Sequence, residues 1–331
     1  MSAVVMTISS LFRVSALTAL ALFGVLALDH AATGIVFSEA VAQDKPKKDT
    51  RETRRTPALR NKVYERLAEA QGFAEAKDYA SAEAILNDMI SEDGKRALNS
   101  YELANVYNLH AFLSYVNEDY AQSLRYYGQV IAQPDIPLAM EINTRFTVAQ
   151  LYFVQEQWQQ GIDALLTWFD LNEKPNAGAY VLLAQGYYQV KDYNLALKNV
   201  ETAIGMHEGE GKLPKEQWYN LARFLYFDKE DFDSALDVLN TLIIYYPKKQ
   251  YWVQASHLYG EKKDEPTQLA LMEAAYEQGF LDRSSELVTM SYLYLNAETP
   301  YYAGAVMQKG FADELVEDKS KNFELAGSAG A

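Results

Sequence analysis

Apolar and small residues recur along the chain at the spacing of an amphipathic helix. The stretch 179–204 reads AYVLLAQGYYQVKDYNLALKNVETAI, in which Ala184 precedes an aspartate–tyrosine pair and Ala196 follows it. Residues three and four apart lie on one face of a helix. The stretch therefore predicts two helices joined by a turn near Asp192.

The same order of residues recurs in six more places when the chain is aligned on the aspartate–aromatic pair. Four copies are well marked and two are weaker: 68–90, 109–131, 148–169 and 221–247, then 252–275 and 287–310. The predicted units start at 63, 104, 142, 176, 216, 249 and 284, at intervals of 33 to 41 residues. The longer intervals predict loops between units, at 91–100, 132–139 and 205–214.

Packing explains why small residues recur at these places. Ala184 on the first helix and Ala196 on the second allow the two backbones to approach closely, while tyrosines fill the space around that contact. Ala203 admits the first helix of the next unit. Asp192 is placed to cap the second helix through its carboxylate. One helix pair cannot bury its apolar face alone, so the units are expected to stack into a continuous core.

The period near 34 residues, with the order aromatic, Leu, Gly/Ala, Tyr, Ala and Pro, resembles the tetratricopeptide repeat (TPR) family over roughly residues 63–310. The resemblance implies an all-α superhelical solenoid of about seven helix-turn-helix units, assigned here to 63–320. The tail 321–331 starts like another first helix and then becomes a run of small residues. We expect either a degenerate capping helix or a sequence shorter than those of its relatives.

The TPR resemblance also implies an inner groove, lined by the second, fifth, ninth and twelfth positions of each first helix. These positions carry amides and aromatic rings: Asn105, Asn108, Phe112, Tyr115, Asn143, Phe146, Gln150, Phe153, Gln185, Tyr188, Gln217, Asn220, Phe224 and Phe227, with Gln250 and His257 in the sixth unit. No Lys or Arg is among them, so TPR domains that grip an acidic C-terminus with basic residues are a poor match. Amides can hydrogen-bond an extended peptide in both directions, and rings can stack on its side chains. The alternative is that several rings only pack between adjacent first helices.

The start of the chain predicts export. Arg13 precedes an apolar run of about 15 residues, too short to span a bilayer, and a small-x-small site ends at Ala42. We therefore predict a cleaved signal peptide over 1–42 and a periplasmic protein, with an uncleaved anchor as the alternative. The chain has no cysteine, which suits an oxidising compartment and excludes a disulfide scaffold or a thiolate site.

Charge is distributed unevenly. The whole chain carries 30 basic and 45 acidic residues, whereas the predicted linker over 43–62 is strongly basic. The acidic remainder would repel phosphates, so nucleic acid is not an expected partner. We interpret the basic segment as a solvated linker. The alternatives are peripheral contact of 44–62 with anionic lipid, a wall polymer or an acidic partner, or folding back of this arm towards the acidic body.

Motifs for chemistry are few. Beyond the predicted signal, His110, His207 and His257 lie in three different units, without the spacing of metal ligands. His110 is predicted to be a packing residue. The pair Gly211-Lys212 lacks the other residues of a phosphate loop. We therefore predict a non-enzymatic protein with no cofactor and no metal.

Four stretches resemble a narrower group, the exported TPR proteins encoded with TonB–ExbB–ExbD energy-transduction clusters of Gram-negative bacteria. These stretches are 54–71, 94–112, 179–193 and 247–261. The resemblance implies a periplasmic accessory factor whose partner is the TonB complex, an outer-membrane receptor or a peptidoglycan-associated protein. The alternatives are a scaffold for outer-membrane or cell-wall assembly and, from another class, a wall-active enzyme.

Overall fold

The computed structural model describes residues 55–91, 93, 97–317 and 319–328. Within these residues the chain forms fifteen α-helices and no strand. The predicted signal peptide and residues 43–54 of the predicted linker lie outside the described residues. No helix in the described part of the chain is both long and apolar enough to cross a membrane.

The helices divide between two compact units, one ending at Asn172 and the other starting at Glu173. The first unit contains α1 Asn61–Glu75, α2 Tyr79–Met89, α3 Ser100–Val116, α4 Tyr120–Ile131, α5 Leu138–Val154 and α6 Trp158–Leu171. The second unit contains α7 Ala177–Gln189, α8 Tyr193–Gly209, α9 Glu216–Asp228, α10 Phe232–Tyr245, α11 Lys249–Glu261, α12 Glu265–Glu277, α13 Ser284–Asn296, α14 Pro300–Ala312 and α15 Ser320–Ser328. Helices α1 to α14 pair into seven hairpins, as the repeat predicts.

Every hairpin turns through one backbone motif. The second residue after the first helix has a left-handed φ of 57–64° and is an exposed Lys or Glu in all seven hairpins. In the α7–α8 hairpin the N–H of Asp192 donates to the carbonyl oxygen of Tyr187 (2.9 Å) and closes α7. The carboxylate of Asp192 accepts from the N–H of Leu195 (3.1 Å) and caps α8. The capping role predicted for Asp192 is therefore confirmed.

Four further hairpins repeat both of these bonds, through Asp78, Asp119, Asp231 and Asp264. The two remaining hairpins have Gln157 and Thr299 at this position. Their backbone bond is present, but neither side chain caps the second helix. A single aspartate thus ends one helix and begins the next, which explains why the aspartate–aromatic pair marks the repeat.

Small residues lie where the two helices of a hairpin cross. Ala184, Ala196 and Ala203 are completely buried within one apolar cluster. In two other hairpins a serine hydroxyl reaches a backbone carbonyl twelve residues away. Ser123 Oγ donates to the carbonyl of Ala111 (2.8 Å), and Ser291 Oγ donates to that of Ala303 (3.2 Å). Such bonds require backbones in close approach, so the predicted role of the small residues is confirmed.

Two first helices begin earlier than the sequence pattern predicts. Helix α3 begins at Ser100 rather than 104, because Asn99 and Glu102 form a reciprocal capping box. Glu102 is fully buried and also accepts from Nε of Arg60 (2.7 Å), which lies just before α1. Helix α5 begins at Leu138 rather than 142, directly after Pro137, whose fixed φ is compatible with a helix start.

The predicted loop over 205–214 is shorter than expected, because α8 continues to Gly209. Tertiary contacts stabilise this extra turn. The ring of His207 packs against Trp218 at 4.5 Å between centroids, and the Tyr219 hydroxyl donates to Glu208 (2.8 Å). The left-handed turn falls at Gly211, with φ of 68°.

The end of the described chain packs on the second unit. In α15 the ring of Phe323 stacks on Phe311 of α14 at 4.7 Å, and Leu325 is buried in the cluster formed by α11 to α14. This helix covers apolar side chains that the last hairpin would otherwise expose.

Candidate peptide-binding site on the first helices

In the first unit the predicted site residues of α3 differ in their hydrogen bonding. Asn105 is half-buried, and its amide nitrogen donates to the carbonyl of Tyr101 in the same helix (2.8 Å). Asn108 is also half-buried, but its side chain has no hydrogen-bond partner among the described residues. Phe112, one turn later, packs against the cluster formed by α1, α2 and α3, and Tyr115 lies 5.8 Å from Tyr120. Asn108 therefore keeps both its donor and its acceptor available.

On α5 the predicted residues divide into surface and core. Asn143 is exposed, and the ring of Phe146 packs on Trp168 at 4.8 Å. Gln150 is half-buried, and its amide has no hydrogen-bond partner within the described part of the chain. Phe153 is only 7% exposed, since its ring covers Gly161 of α6 and packs against Trp158. The structure thus places Phe153 in the core of its hairpin, where the absence of a side chain at Gly161 makes room for the ring.

In the second unit the predicted rings pack on one another. Tyr188 of α7 stacks on Tyr193 (5.7 Å) and meets the edge of Phe224 of α9 (5.5 Å). Burial, with a smaller contribution from Tyr193, raises the pKa of Tyr188, so its hydroxyl stays neutral and can donate a hydrogen bond. Phe227 lies 6.3 Å from Phe232. The contact of Tyr188 with Phe224 joins adjacent first helices, as the alternative interpretation of the sequence proposed, whereas the other two pairs lie within one hairpin. The predicted rings remain half-buried.

The predicted amides of the second unit differ in their exposure and hydrogen bonding. Gln185 is half-buried without a hydrogen-bond partner among the described residues, and Gln217 is exposed. Asn220 donates from Nδ2 to the hydroxyl of Tyr251 on α11 (2.8 Å) and accepts from Arg223 Nη2 (3.1 Å). Of the two further positions in the sixth unit, Gln250 is exposed, and exposed His257 lies 3.9 Å from Glu261.

The sequence analysis did not include Arg223, which lies beside the predicted site residue Asn220. The pattern of groove positions contained no basic residue, yet the structure brings this arginine against Asn220. Counting back from the turn, Arg223 occupies a position that is small in the other six hairpins: Ala70, Ala111, Ala149, Ala184, Ser256 and Ser291. An arginine at a position that is Ala or Ser in every other hairpin is the feature of the sequence that could have identified this residue.

The surroundings of Arg223 form a polar network between α9 and α11. Besides its bond to Asn220, Arg223 donates from Nη1 to Gln254 Oε1, and its guanidinium lies 5.6 Å from the ring centroid of buried Tyr251. The Tyr251 hydroxyl donates to Glu216 (2.5 Å), which also accepts from Lys248 (2.6 Å). Burial alone would raise the pKa of Glu216, but the bonds from Lys248 and Tyr251 outweigh it, and the pKa is lowered.

The histidines show packing rather than chemistry. His110 is 3% exposed and stacks on Tyr126 at 4.6 Å, and burial lowers the pKa of His110 to about 4. The ring is therefore neutral at pH 7, which confirms its predicted packing role. In the described part of the chain no three His, Cys, Asp or Glu side chains are grouped so as to hold a metal ion.

Solved structures similar to this chain include several TPR proteins. A TPR protein from Parabacteroides merdae is 16% identical, with 81% of this chain and 99% of that protein covered at a TM-score of 0.45. YrrB, described as a TPR protein with an unusual peptide-binding site, is 16% identical, with 64% and 97% covered and a TM-score of 0.42. MamA from Desulfovibrio magneticus is 14% identical, with 53% and 94% covered and a TM-score of 0.42.

No family model matches this chain, and a search of curated proteins finds no match. The three TM-scores are below 0.5, so the fold assignment rests on features of the chain itself. These are the seven hairpins, their common turn and the repeated contact between small residues. Together they define an all-α repeat protein with the TPR solenoid fold.

Proposed function

We propose that the chain is a non-enzymatic scaffold that binds an extended segment of another protein along its first helices. The observation that carries the proposal is a recurring pair, an amide and a half-buried ring one turn apart on the same helix. The pairs are Asn108 with Phe112, Gln150 with Phe146, and Gln185 with Tyr188. The three amides have no hydrogen-bond partner among the described residues.

Physical chemistry explains why this pair suits an extended peptide. A half-buried amide without a partner loses part of its hydration and gains nothing in return. The backbone of an extended segment offers the N–H and C=O groups that such an amide can bind, and the adjacent ring offers an apolar surface to its side chains. The packing of the seven hairpins does not require these amides, whereas it does require the small residues and the aspartates.

We further propose that the protein acts in the periplasm as an accessory factor of TonB-dependent energy transduction or uptake. Support comes from the export pattern over 1–42, the absence of cysteine and the resemblance of 54–71, 94–112, 179–193 and 247–261 to TPR proteins of TonB clusters. The partner would then be the TonB complex or an outer-membrane receptor. Fractionation of cells beside cytoplasmic and periplasmic marker proteins tests the compartment directly.

The decisive experiment is crosslinking in cells, followed by purification of the tagged full chain and mass spectrometry. The test variant combines Asn108→Ala with Gln150→Ala, and a matched control combines Gln129→Ala with Gln160→Ala. The control removes two exposed amides from the second helices α4 and α6 of the same hairpins. We expect the test variant to lose TonB-complex or receptor peptides, while the control keeps them and both proteins melt like the wild type.

Other outcomes give a different assignment. Loss of outer-membrane or wall-assembly proteins from the test variant would indicate an assembly scaffold instead. Equal capture by the test variant, the control and the wild type would contradict the proposed site. Degradation or modification of purified peptidoglycan by the protein would contradict the non-enzymatic assignment.

A further inference from the structure

A half-buried positive charge, without a negative partner among the described residues, lies between the first helices α9 and α11. Arg223 is half-buried, and its Nε is inaccessible to solvent without any hydrogen-bond partner. No carboxylate oxygen of the described residues lies within 4.0 Å of its guanidinium. Two of its five N–H groups donate to amide oxygens, of Gln254 and of Asn220.

Among the described residues, the negative charges of this network do not balance its positive charges. Glu216 is the carboxylate in the network, and it is already paired with Lys248 through bonds of 2.6 and 2.8 Å. One positive charge, on Arg223, therefore remains, held by amide dipoles and the face of Tyr251. Burial disfavours the charged form and lowers the pKa of Arg223, although the guanidinium stays protonated. A buried charge in this state is costly until a counter-charge reaches it.

Packing of the hairpin does not require an arginine at this position. The other six hairpins have Ala or Ser there, and the small residue is what allows the two helices to approach. Arg223 and its neighbour Gln254 carry hydrogen-bond donors of the kind that bind carboxylates. The guanidinium has unused donors, and the amide nitrogen of Gln254 has no acceptor among the described residues. Asn220, Arg223 and Gln254 are each half-buried, so the cluster reaches the protein surface.

We propose that Arg223, flanked by Asn220 and Gln254, is a carboxylate-binding site for an acidic group of the bound protein segment. Arginine receives carboxylates through paired, charge-assisted hydrogen bonds, and Asn220 and Gln254 hold it in place for this. The carboxylate is either an Asp or Glu side chain or a free C-terminus. The inference rests on the proposed function and adds the chemistry of the segment that the second unit selects.

The test uses two libraries of random dodecapeptides, one with free C-terminal carboxylates and one with amidated ends, panned on the full chain. The variant Arg223→Gln removes the charge. The matched control is Arg145→Gln, because Arg145 is also half-buried but already pairs with Glu141 at 2.7 Å. We expect the wild type and the control to enrich peptides with an acid at a fixed distance from an aromatic or proline residue. The Arg223→Gln protein should still enrich peptides, without the acid.

Synthetic peptides then measure the effect. A selected peptide with the acid should bind wild type about tenfold or more tightly than its amide counterpart, and the two should bind Arg223→Gln within about twofold of each other. Enrichment of Asp or Glu in the amidated library assigns the site to side chains, whereas enrichment of peptides only from the library with free ends assigns it to the C-terminus. Peptides without acids, enriched equally by wild type and Arg223→Gln, overturn the inference but leave the proposed function intact. Failure of every protein to enrich any peptide overturns both.

A second variant tests the unpaired charge without removing it. Because the side-chain oxygen of Gln254 already accepts from Arg223, the substitution Gln254→Glu supplies an internal carboxylate at the same place. We expect a Tm higher by about 2–4 °C and a loss of the preference for acidic peptides. An unchanged or lower Tm, together with continued selection of acidic peptides, would show that Arg223 needs no counter-charge and would overturn the proposal.

Discussion

The third hairpin offers a gain-of-stability test of how these helices begin. Gln157 precedes α6 with φ and ψ of −85° and 65°, and Asp192 precedes α8 with −86° and 75°. The two backbones are therefore nearly identical, yet only Asp192 caps its helix through its side chain. The substitution Gln157→Asp should place a carboxylate against the free N–H groups at the start of α6 without moving the backbone.

The magnitude follows from the bond that is gained. An N-cap side chain is typically worth about 1 kcal/mol, within a range of about 0.5–2 kcal/mol, and an anion at a helix N-terminus adds a few tenths more. For a unit of this size about 1 kcal/mol corresponds to a rise in Tm of about 2–4 °C. The converse change, Asp192→Ala, should lower the stability of the second unit by a similar amount, because its backbone bond to Tyr187 remains.

Thermal melts followed by circular dichroism, with hydrogen exchange to assign the change to α6 or α8, measure both variants. Gln157→Asn is the control for charge, since asparagine caps without adding a carboxylate and should give most of the gain. A Gln157→Asp protein that is no more stable than wild type, alongside a destabilised Asp192→Ala, would refute the reasoning. It would show that the aspartates act through something other than the cap.

Three further predictions concern the core. Burial lowers the pKa of His110 to about 4, below the value near 6.5 of an unfolded chain, so the unfolded state binds the proton more tightly and stability falls as the pH drops through this window. Between pH 7 and 5 the wild type should lose about 2 kcal/mol more than His110→Phe in urea titrations. Gly310→Ala should destabilise the second unit by about 1–3 kcal/mol, because the added Cβ would clash with a methyl group of Val316. Gly205→Ala meets open space in α8 and should stabilise the second unit by up to about 1 kcal/mol. Ala196→Leu should cost about 1–3 kcal/mol of unfolding free energy through overpacking, and equal losses from Asn108→Ala would show that the amide belongs to the core.

The repeat could be predicted because its determinants are local. Asp192 contacts residues five before and three after it, and Ala184 packs against a helix that begins nine residues later. The positions of the two helices in each hairpin can therefore be recognised within about 30 residues of sequence. The starts of the helices were less predictable where distant residues decide them. The early start of α3 depends on Glu102, which is buried because Arg60, 42 residues away, pairs with it. The extra turn of α8 depends on contacts with Trp218 and Tyr219 of the next helix. The spacing of apolar residues within α8 does not reveal these contacts.

The candidate site was less predictable than the fold for the same physical reason. The sequence pattern identified a face rich in amides and rings, but the state of each side chain depends on the next hairpin. Asn220 is engaged because Tyr251 follows 31 residues later, whereas Gln185 has no such acceptor or donor among the described residues. The sequence analysis assigned groove residues from their position in the repeat, and Arg223 is not at one of those positions. It occupies a position that is small in the other hairpins, and its long side chain reaches Asn220 from there. In a repeat protein, departures from the repeat are therefore a better guide to binding residues than the repeat itself.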